Sequence, residues 1–438
     1  MRVLIKNLFL LVCSTTLVFF GLGWLVQNYM QSEEFIEKIS RSASETLGGS
    51  LHIDHTKVEL LRGVTFFKVT LDRDPPLPHP LVEMDYLRIR YNPFKLLLGE
   101  MELPLIRLEK PRLHFQQTPQ GDWWWLRSFG EAHPTFDAGW VTFRVLLNDF
   151  ATRDGSVLIT LSDGRSIFHA DGIVVEGDLL ASDAGNDARG RLHVIETRLG
   201  SRFLVSGLHG DLRFKDNLLT MPNFSGQTYG GQVSGNVEVD LRDANPEFQM
   251  NLNLTNLDIP TLVEQWGGSE SWMQGKLQAF ARIEGNFKQP ELMQVIGNLN
   301  VNQAVLNRFS FLKDVEPILP SGTLAEVTFE RISGNYKISE KILTLYDIEA
   351  VSSSLQLTGS GTVTLSGDLN LDMRLLLGPE RTRSIPSEML ARFTPRNDGF
   401  YSITFKLSGT LEKPLSNLPA KLDPTAAALS PALSTSRP

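Results

Sequence analysis

The sequence repeats itself at a spacing of 124 positions, and this repeat constrains the fold more than any other feature. The stretch 208–290 returns at 332–414, so that Gly235 aligns with Gly359 (359 − 235 = 124). Each copy has alternating segments, an Ile-Pro pair, a short helical segment and a long last strand that ends in the pattern G-x-[FL]-x-[KQ]-P. Self-similarity at a fixed period indicates a repeat architecture in which each unit stacks on its neighbour.

Inside the repeat, apolar and polar residues alternate with a period of two. Successive side chains of a strand face opposite sides of a sheet, so the pattern predicts antiparallel sheet with one apolar and one polar face. The fold class expected is mainly β: an elongated, twisted antiparallel groove built of repeats on a single N-terminal transmembrane helix. The residues predicted to line the apolar groove are Val233, Val237, Val239, Leu241, Phe248, Met250, Leu252, Leu254, Leu277, Ile283, Leu355, Leu357, Val363, Leu365, Leu369, Leu371, Met373, Leu375, Tyr401, Ile403, Phe405 and Leu407.

An uncharged apolar run from Leu8 to Val26 follows Arg2 and Lys6. It has about the ~20 residues that a membrane-spanning helix needs, and the basic flank favours a cytoplasmic N-terminus with the body outside. A cleaved signal peptide would have a shorter apolar core and a small-residue cleavage site, and a lipoprotein signal would need a small residue where Val12 precedes Cys13. The anchor is predicted to include Leu8, Leu11, Leu17, Phe19, Phe20, Leu22, Trp24, Leu25 and Val26.

Helical spacing after the anchor predicts an amphipathic helix over 31–49 that stops near Gly48-Gly49. Short alternating runs follow to residue 207, broken by Asp-Gly pairs at Asp154, Asp163 and Asp171 that predict turns. The Pro-, Ala- and Ser-rich end, 415–438, is predicted to be a disordered tail.

The order of segments after the anchor resembles the N-terminal module of the AsmA-like family. The residues that carry the resemblance are the Leu-Leu-Leu-Gly segment ending at Gly99, the Leu-Glu-Lys-Pro-Arg-Leu strand from Leu108 to Leu113, and the Gly-Asp-Trp turn from Gly121 to Trp123. The resemblance implies a curved β-groove, anchored in the bacterial inner membrane and standing in the periplasm. It also implies a link to outer-membrane biogenesis and a relation in architecture to the TamB-type bridge-like lipid transfer proteins.

With the resemblance, the chain divides into an anchor (1–30), a helix (31–49), an N-terminal AsmA-like β module (50–207), two β repeats (208–331 and 332–414) and the tail (415–438). Phospholipids, the inner membrane and envelope assembly proteins are the partners expected. The net charge of −8 argues against nucleic acid, which would favour a basic face.

The sequence shows no catalytic constellation, and we expect neither enzymatic activity nor a cofactor. It has no Walker-type loop, no G-x-S-x-G and no H-E-x-x-H motif. His52 and His55 are three residues apart, which on a strand puts them on opposite faces, so they make a poor metal pair.

Two clusters allow both a structural and a functional interpretation. In the Trp123-Trp124-Trp125 run, alternate indoles either pack at a sheet end or form an interfacial platform. Arg381, Arg383, Arg392 and Arg396 surround the helical segment of the second copy, which either caps the sheet or meets anionic headgroups.

The apolar face is the strongest functional signal in the sequence. Either two sheets bury it against each other in a closed sandwich, or a curved sheet leaves it as a trough for acyl chains. An open trough would exceed the apolar patch that a soluble monomer tolerates, so it must be filled. The repeat favours the trough because it builds length. The function expected is therefore guidance of phospholipid chains between membranes, and the alternative is a scaffold for outer-membrane protein assembly.

Overall fold

The computed structural model describes residues 27–29, 31–47, 49–59, 62–73, 79–92, 95, 100–119, 123, 135–137, 142–182, 185–200, 202–242, 246–265, 273–287, 289, 292–307, 326–353, 355–364, 366–383, 385, 387–410 and 414–417. The predicted anchor, Leu365, Trp124, Trp125 and nearly all of the predicted tail lie outside these ranges. The described chain is mainly β, as expected.

Contacts divide the chain into two compact units. The N-terminal unit is Met1–Thr228, Gln232–Leu252 and Ile283–Pro290, and the C-terminal unit is Tyr229–Gly231, Asn253–Arg282 and Glu291–Pro438.

The N-terminal unit begins with helix α1, Glu33–Leu47, which ends where the Gly48-Gly49 pair predicts a stop. Its strands are β1 Gly49–Glu59, β2 Gly63–Arg73, β3 Val82–Arg90, β4 Glu100–Glu109, β5 Arg112–Gln116, β6 Thr135–Asp137, β7 Thr142–Thr160, β8 Ser166–Ser182, β9 Gly185–Leu199, β10 Phe203–Lys215 and β11 Leu218–Thr228. Three further strands have residues in both units: β12 Gly231–Asp240, β13 Glu247–Asp258 and β14 Met273–Asn286. Helix α2, Ile259–Gln265, lies between β13 and β14 in the sequence and belongs to the C-terminal unit.

Hydrogen bonding links these strands largely in chain order and in antiparallel pairs, from β1–β2–β3 through β7–β8–β9–β10–β11. One exception corrects the expectation of a purely antiparallel sheet. Strands β4 and β5 lie end to end along β7 and pair with it in parallel, with Glu109 opposite Arg153 and Arg112 opposite Ser156. Because parallel neighbours need a crossover connection, residues 117–141 lead from β5 to β7.

A row of left-handed residues crosses the sheet of the N-terminal unit. Lys68, Lys110, Asp154, Gly172 and Gly207 have positive φ angles of 49°, 48°, 52°, 66° and 60°. The pairing registers put these positions side by side from β2 to β10. The register shifts beside Asp154 and Gly172 in the β7–β8 pair and beside Gly207 in the β10–β11 pair, as in β-bulges, whereas it is the same on both sides of Lys68 and Lys110. The regular extended backbone is therefore interrupted along one line across the sheet.

The left-handed residues keep the apolar residues on one face. In β2, Val64 and Phe66 are buried before Lys68, whereas Val69 and Leu71 are buried after it, so the buried apolar positions change from even to odd. In a regularly extended strand such a change would send half of the strand to the other face. The left-handed Lys68 makes the change without an extra residue, because the registers of β2 with β1 and β3 continue past it. The Asp-Gly pairs at Asp154 and Asp171 belong to this row, so the turns predicted there are wrong, whereas the turn predicted at Asp163 is confirmed. A bulge and a turn both need a left-handed residue, which Gly supplies most easily.

The C-terminal unit contains β15 Gln294–Asn307, β16 Glu326–Ser339, β17 Ile342–Val351, β18 Leu355–Thr364, β19 Leu369–Leu377, β20 Thr394–Pro395, β21 Tyr401–Gly409 and β22 Pro414–Ser416. Two short helices, α3 Pro379–Thr382 and α4 Ser387–Leu390, connect β19 to β20. The strands β15–β16–β17–β18–β19–β21–β22 pair antiparallel in that order. Strand β22 includes Leu415 and Ser416, so the first residues of the predicted tail are extended and paired.

The two sequence copies have the same order of elements. Moved by 124 positions, β12 (231–240) coincides with β18 (355–364), and β10, β11 and β14 fall on β16, β17 and β21. The hairpins agree in detail, because Asp216 and Asn217 have φ of 51° and 59°, and their counterparts Glu340 and Lys341 have 50° and 65°. Two successive left-handed residues are typical of a type I′ turn.

Each unit has its own apolar cluster. In the N-terminal unit, Ile53, Val58, Val64, Phe66, Val69 and Met84 are buried, and Ile36 and Ile39 of α1 pack against them. Ser44 of α1 accepts a hydrogen bond from the backbone N–H of Leu51 at 2.8 Å. Helix α1 therefore covers the apolar face of the first strands.

Candidate functional site

The most unusual surface among the described residues is the apolar face of the five strands β7–β11 in the N-terminal unit. Paired residues point to the same side, and the registers join Val157 to Ala170, Ala170 to Thr197 and Thr197 to Val205. From these pairs the face continues along each strand at every second residue. The alternation changes phase at the left-handed residues of the row. We call this face the apolar platform: Phe150, Thr152, Gly155, Val157, Ile159, Phe168, Ala170, Ile173, Val175, Gly177, Gly190, Leu192, Val194, Thr197, Leu199, Phe203, Val205, Leu208, Gly210, Leu212, Phe214, Leu219, Met221, Phe224, Gly226 and Thr228.

The apolar platform contains no charged residue, whereas the opposite face of the same strands is highly charged. Ion pairs on that opposite face join Arg198 to Glu196 at 2.6 Å and His169 to Asp171 at 3.1 Å. Exposed ion pairs of this kind stabilise a fold little, so they mark the solvated face of the sheet.

The polar atoms on the apolar platform are neutral hydroxyls. Thr152 Oγ1 accepts a hydrogen bond from the backbone N–H of Val175 at 2.9 Å, and Thr228 Oγ1 donates one to the carbonyl of Leu204. Thr197 Oγ1 is buried and has no hydrogen-bond partner among the described residues. The surface therefore offers an apolar ligand almost no group that would need to be paired.

Most large side chains of the apolar platform are only partly buried. Among the described residues, the two apolar clusters include none of β7–β11. Leu199 is 37% exposed, and Phe150, Leu192 and Leu212 are half-buried. This face thus differs from that of β1–β4, which α1 and its own cluster cover.

Trp123 joins two distant parts of the sequence within the N-terminal unit. Its indole N–H donates a hydrogen bond to the carbonyl of Phe287 at 2.7 Å, and the side chain is 4% exposed. Phe287 directly follows β14 in the sequence. The segment after β5 therefore packs against the end of β14.

The structure places many of the sequence-predicted groove residues in a filled core in the C-terminal unit. Leu355, Val363, Leu371, Met373, Leu375, Phe405 and Leu407 are buried in one cluster, and Leu277, Leu357, Leu369, Tyr401 and Ile403 pack against it. Ile259 at the start of α2, Ile385 and Phe393 belong to the same cluster. The two Ile-Pro segments thus cover the apolar face here.

The remaining predicted groove residues lie on β12, β13 and β14. Val233 is 2% exposed, whereas Val237, Val239, Leu241, Phe248, Met250, Leu252, Leu254 and Ile283 are partly buried. Phe248 contacts Phe287 with a ring separation of 5.1 Å, which places it near Trp123. None of these side chains belongs to either apolar cluster of the described residues.

Sequence reasoning missed the apolar platform almost entirely, although a signal for it was present. In β8, Phe168 and Ala170 occupy even positions and Ile173 and Val175 odd ones, so the alternation looks broken at Asp171-Gly172. Treating that change as a bulge rather than a turn would have joined the two halves into one strand.

The other candidate groups have structural roles or lie outside the described residues. Trp123 packs and bonds as the structural interpretation expects. Ile385 and Phe393 are buried while Arg383, Arg392 and Arg396 are exposed, which agrees with a segment that caps the sheet. His55 stacks on Phe67 with ring centroids 4.5 Å apart. No group of three metal-ligating side chains occurs in the described part of the chain.

The described helices include none with the length and hydrophobicity to cross a bilayer. The predicted anchor lies outside the described residues. No protein-family model, curated protein or solved structure matches this chain.

Proposed function

We propose that this chain is a non-enzymatic protein of the bacterial envelope that holds phospholipid acyl chains against a curved apolar sheet and guides them between the inner and outer membranes. The observation that carries the proposal is the apolar platform, a charge-free face on five adjacent strands that is only partly covered. The resemblance to the AsmA-like family supports the same function, with Leu8–Val26 as the inner-membrane anchor and the body in the periplasm.

The physical basis of the proposal is desolvation. Each CH₂ group that leaves water for an apolar surface gains about 0.8 kcal/mol, so an acyl chain binds through the sum of many weak contacts. Because the platform has no charge and its threonine hydroxyls are mostly bonded to the backbone, no position strongly favours one lipid pose. A chain can therefore slide along the face.

The test uses two neighbouring valines on strand β8. Val175 lies on the apolar platform opposite Leu192, and Val174 lies on the charged face opposite His193. We expect Val175→Arg to fold, because a partly buried arginine can extend its charged end to water. It should release acyl chains, which would otherwise have to pass a charge. Val174→Arg is the matched control, with the same substitution one residue away, and should keep bound lipid at the wild-type amount.

The measurement is the amount of phospholipid that copurifies with the full chain, extracted and quantified by mass spectrometry, together with thermal melting. Lipid that surrounds the anchor is the same in both variants, so the difference between them reports the platform. Equal lipid in the two variants, or a wild-type chain that binds no more lipid than Val175→Arg, would reject the proposal.

A scaffold for outer-membrane protein assembly is the second candidate, and the C-terminal unit supports it. There the apolar face is filled by Ile259, Ile385 and Phe393, as in a closed structure. We expect Met373→Arg, which buries a charge at a site 5% exposed, to unfold this unit, since an unpaired buried charge costs several kcal/mol. Loss of folding in Val175→Arg as well would favour the scaffold for the whole chain.

A further inference from the structure

A cavity of 550 Å³ opens on the polar face of the N-terminal unit, where β1 turns into β2 and where β3 ends. Its lining includes Glu59, Arg62, Thr65, Arg88 and Arg90. The three arginines and one carboxylate sum to +2 (3 − 1), in a chain whose net charge is −8. We call this cavity the arginine cavity.

The arginines of the cavity differ in how far they are already engaged. Arg88 donates from Nε to Thr65 Oγ1 at 3.3 Å, and its guanidinium lies 5.7 Å from the centre of the Tyr86 ring. The side chain of Arg90 makes no ion pair or hydrogen bond with another described residue, and Arg62 is 84% exposed at 4.0 Å from Glu59. These guanidinium groups are therefore available to an anion.

A fourth arginine strengthens the positive charge from the adjacent strand. The register places Arg107 directly opposite Arg88, so both side chains are on the polar face. The Nε atom of Arg107 is buried and has no hydrogen-bond partner among the described residues. Arg107 is not part of the cavity lining, so it adds positive charge behind Arg88 rather than a direct contact to an anion.

Glu59 serves as the internal counter-ion of the cavity. Lys57 Nζ lies 3.1 Å from its carboxylate. The hydrogen bond from Lys57 and the nearby charges of Lys57, Arg62 and Arg88 lower the pKa of Glu59. The carboxylate is thus ionised at neutral pH, and it competes with any anion that enters.

The arginine cavity lies at the end of the sheet from which α1 begins. Ser44 contacts Leu51 near the start of β1, and the tight connection from Leu47 to Gly49 makes α1 run back along the strand. Ile36 is eight residues before Ser44, which is about 12 Å further along the helix. Ile36 packs in the same cluster as Tyr91, which lines the cavity. The predicted anchor ends at Val26, seven residues before Glu33 (33 − 26 = 7).

We propose that the arginine cavity binds the phosphate diester of a phospholipid headgroup at the surface of the membrane that holds the anchor. Guanidinium groups bind phosphate oxygens through paired, charge-assisted hydrogen bonds, and three of them around one cavity match that geometry. The proposal rests on the proposed function and adds a headgroup site to it. The cavity would hold a lipid headgroup at the base of the sheet while its acyl chains leave the bilayer.

The experiment is calorimetric titration of the full chain, kept in a neutral detergent, with three probes. They are inorganic phosphate, the water-soluble headgroup fragment glycerophosphoglycerol, and monomeric dihexanoyl-phosphatidylglycerol. The test variant is Arg88→Gln with Arg90→Gln. Its matched control is Arg189→Gln with Arg191→Gln, two arginines on the polar face of β9 outside the cavity. Arg62→Gln, at an exposed turn residue, serves as a second variant that leaves the strands unchanged.

We expect the wild type and the β9 control to bind the headgroup fragment and the short-chain lipid equally well. Affinity should fall about tenfold or more in the double variant and less in Arg62→Gln, since each charge-assisted bond contributes about 1.5–3 kcal/mol and 1.4 kcal/mol is tenfold. Glu59→Gln, which removes the competing carboxylate, should tighten binding. Thermal melting of each variant confirms folding.

Three results would overturn the proposal. They are the absence of binding in the wild type, an equal loss in the β9 control, and inorganic phosphate binding as tightly as the two headgroup probes, which would indicate a free-anion site. Failure of the lipid-guiding function is distinguishable, because the headgroup fragment has no acyl chain. If the apolar platform held no lipid, the titration with the headgroup fragment would be unchanged.

Discussion

Asp240 shows how a single carboxyl group is tuned on the polar face of this sheet. It accepts hydrogen bonds from the side-chain Nε of Arg242 at 2.9 Å and from the backbone N–H of Arg242 at 3.0 Å. The hydrogen bond from the arginine side chain is the largest cause that lowers the pKa of Asp240, to about 2. The turn at the end of β12 therefore holds an ion pair between residues two positions apart in the chain.

At this residue we expect Arg242→Gln to return the pKa of Asp240 toward its ordinary value near 4. Because the pKa of Asp240 is lower in the folded state, its contribution to stability is present above about pH 4 and is lost as the pH falls toward 2. The measurement is an NMR titration of the carboxyl carbon in both proteins. An unchanged midpoint in the variant would show that the arginine is not the cause.

At the scale of elements, one of the two type I′ turns carries residues poorly suited to it. Glu340 and Lys341, between β16 and β17, both have positive φ, although neither is Gly or Asn. The left-handed conformation costs a residue with a Cβ about 1 kcal/mol, and Gly does not incur that cost.

For this hairpin we expect Lys341→Gly to raise the free energy of unfolding by about 1 kcal/mol. Lys337→Gly, four residues earlier in the interior of β16, is the control and should destabilise by about 0.5–1 kcal/mol, because Gly weakens a strand interior. Both are read from denaturant unfolding followed by circular dichroism. Equal effects of the two changes would mean that backbone conformation at Lys341 is not limiting.

The row of left-handed residues from Lys68 to Gly207 is the element-scale feature that relates sequence to surface. Each of these residues lets its strand change the parity of its apolar positions and still keep them on one face. Helix α1 covers the apolar face of the first strands, and β7–β11 carry the apolar platform.

At the scale of the whole molecule, the sequence predicts a single anchor with the body outside the cytoplasm. Arg2 and Lys6 precede the run Leu8–Val26, and short basic flanks remain on the cytoplasmic side. We expect a protease that cannot cross the inner membrane to digest the body in osmotically opened cells. A cytoplasmic protein should be protected in the same cells, and protection of the body as well would contradict this topology.

The sequence alone determined the features that depend on neighbours along the chain. Alternation with a period of two identified the strands, the Gly48-Gly49 pair marked the end of α1, and the shift of 124 positions identified two copies with one order of elements. These signals are local, because side-chain direction in a strand and left-handed turn residues depend only on adjacent residues.

The tertiary structure decided what depends on residues far apart in the sequence. An Asp-Gly pair serves a bulge as well as a turn, so only the pairing of β7 with β8 and with β4 showed which one Asp154 forms. Likewise, the same alternation of apolar and polar residues occurs in a strand that lies in a filled core and in a strand that carries an open apolar face. Burial of Met373 against Ile385 and Phe393, and partial exposure of Leu192 and Leu212, follow from which segments fold back over each sheet. That choice rests on long-range packing, which alternation along a strand does not encode.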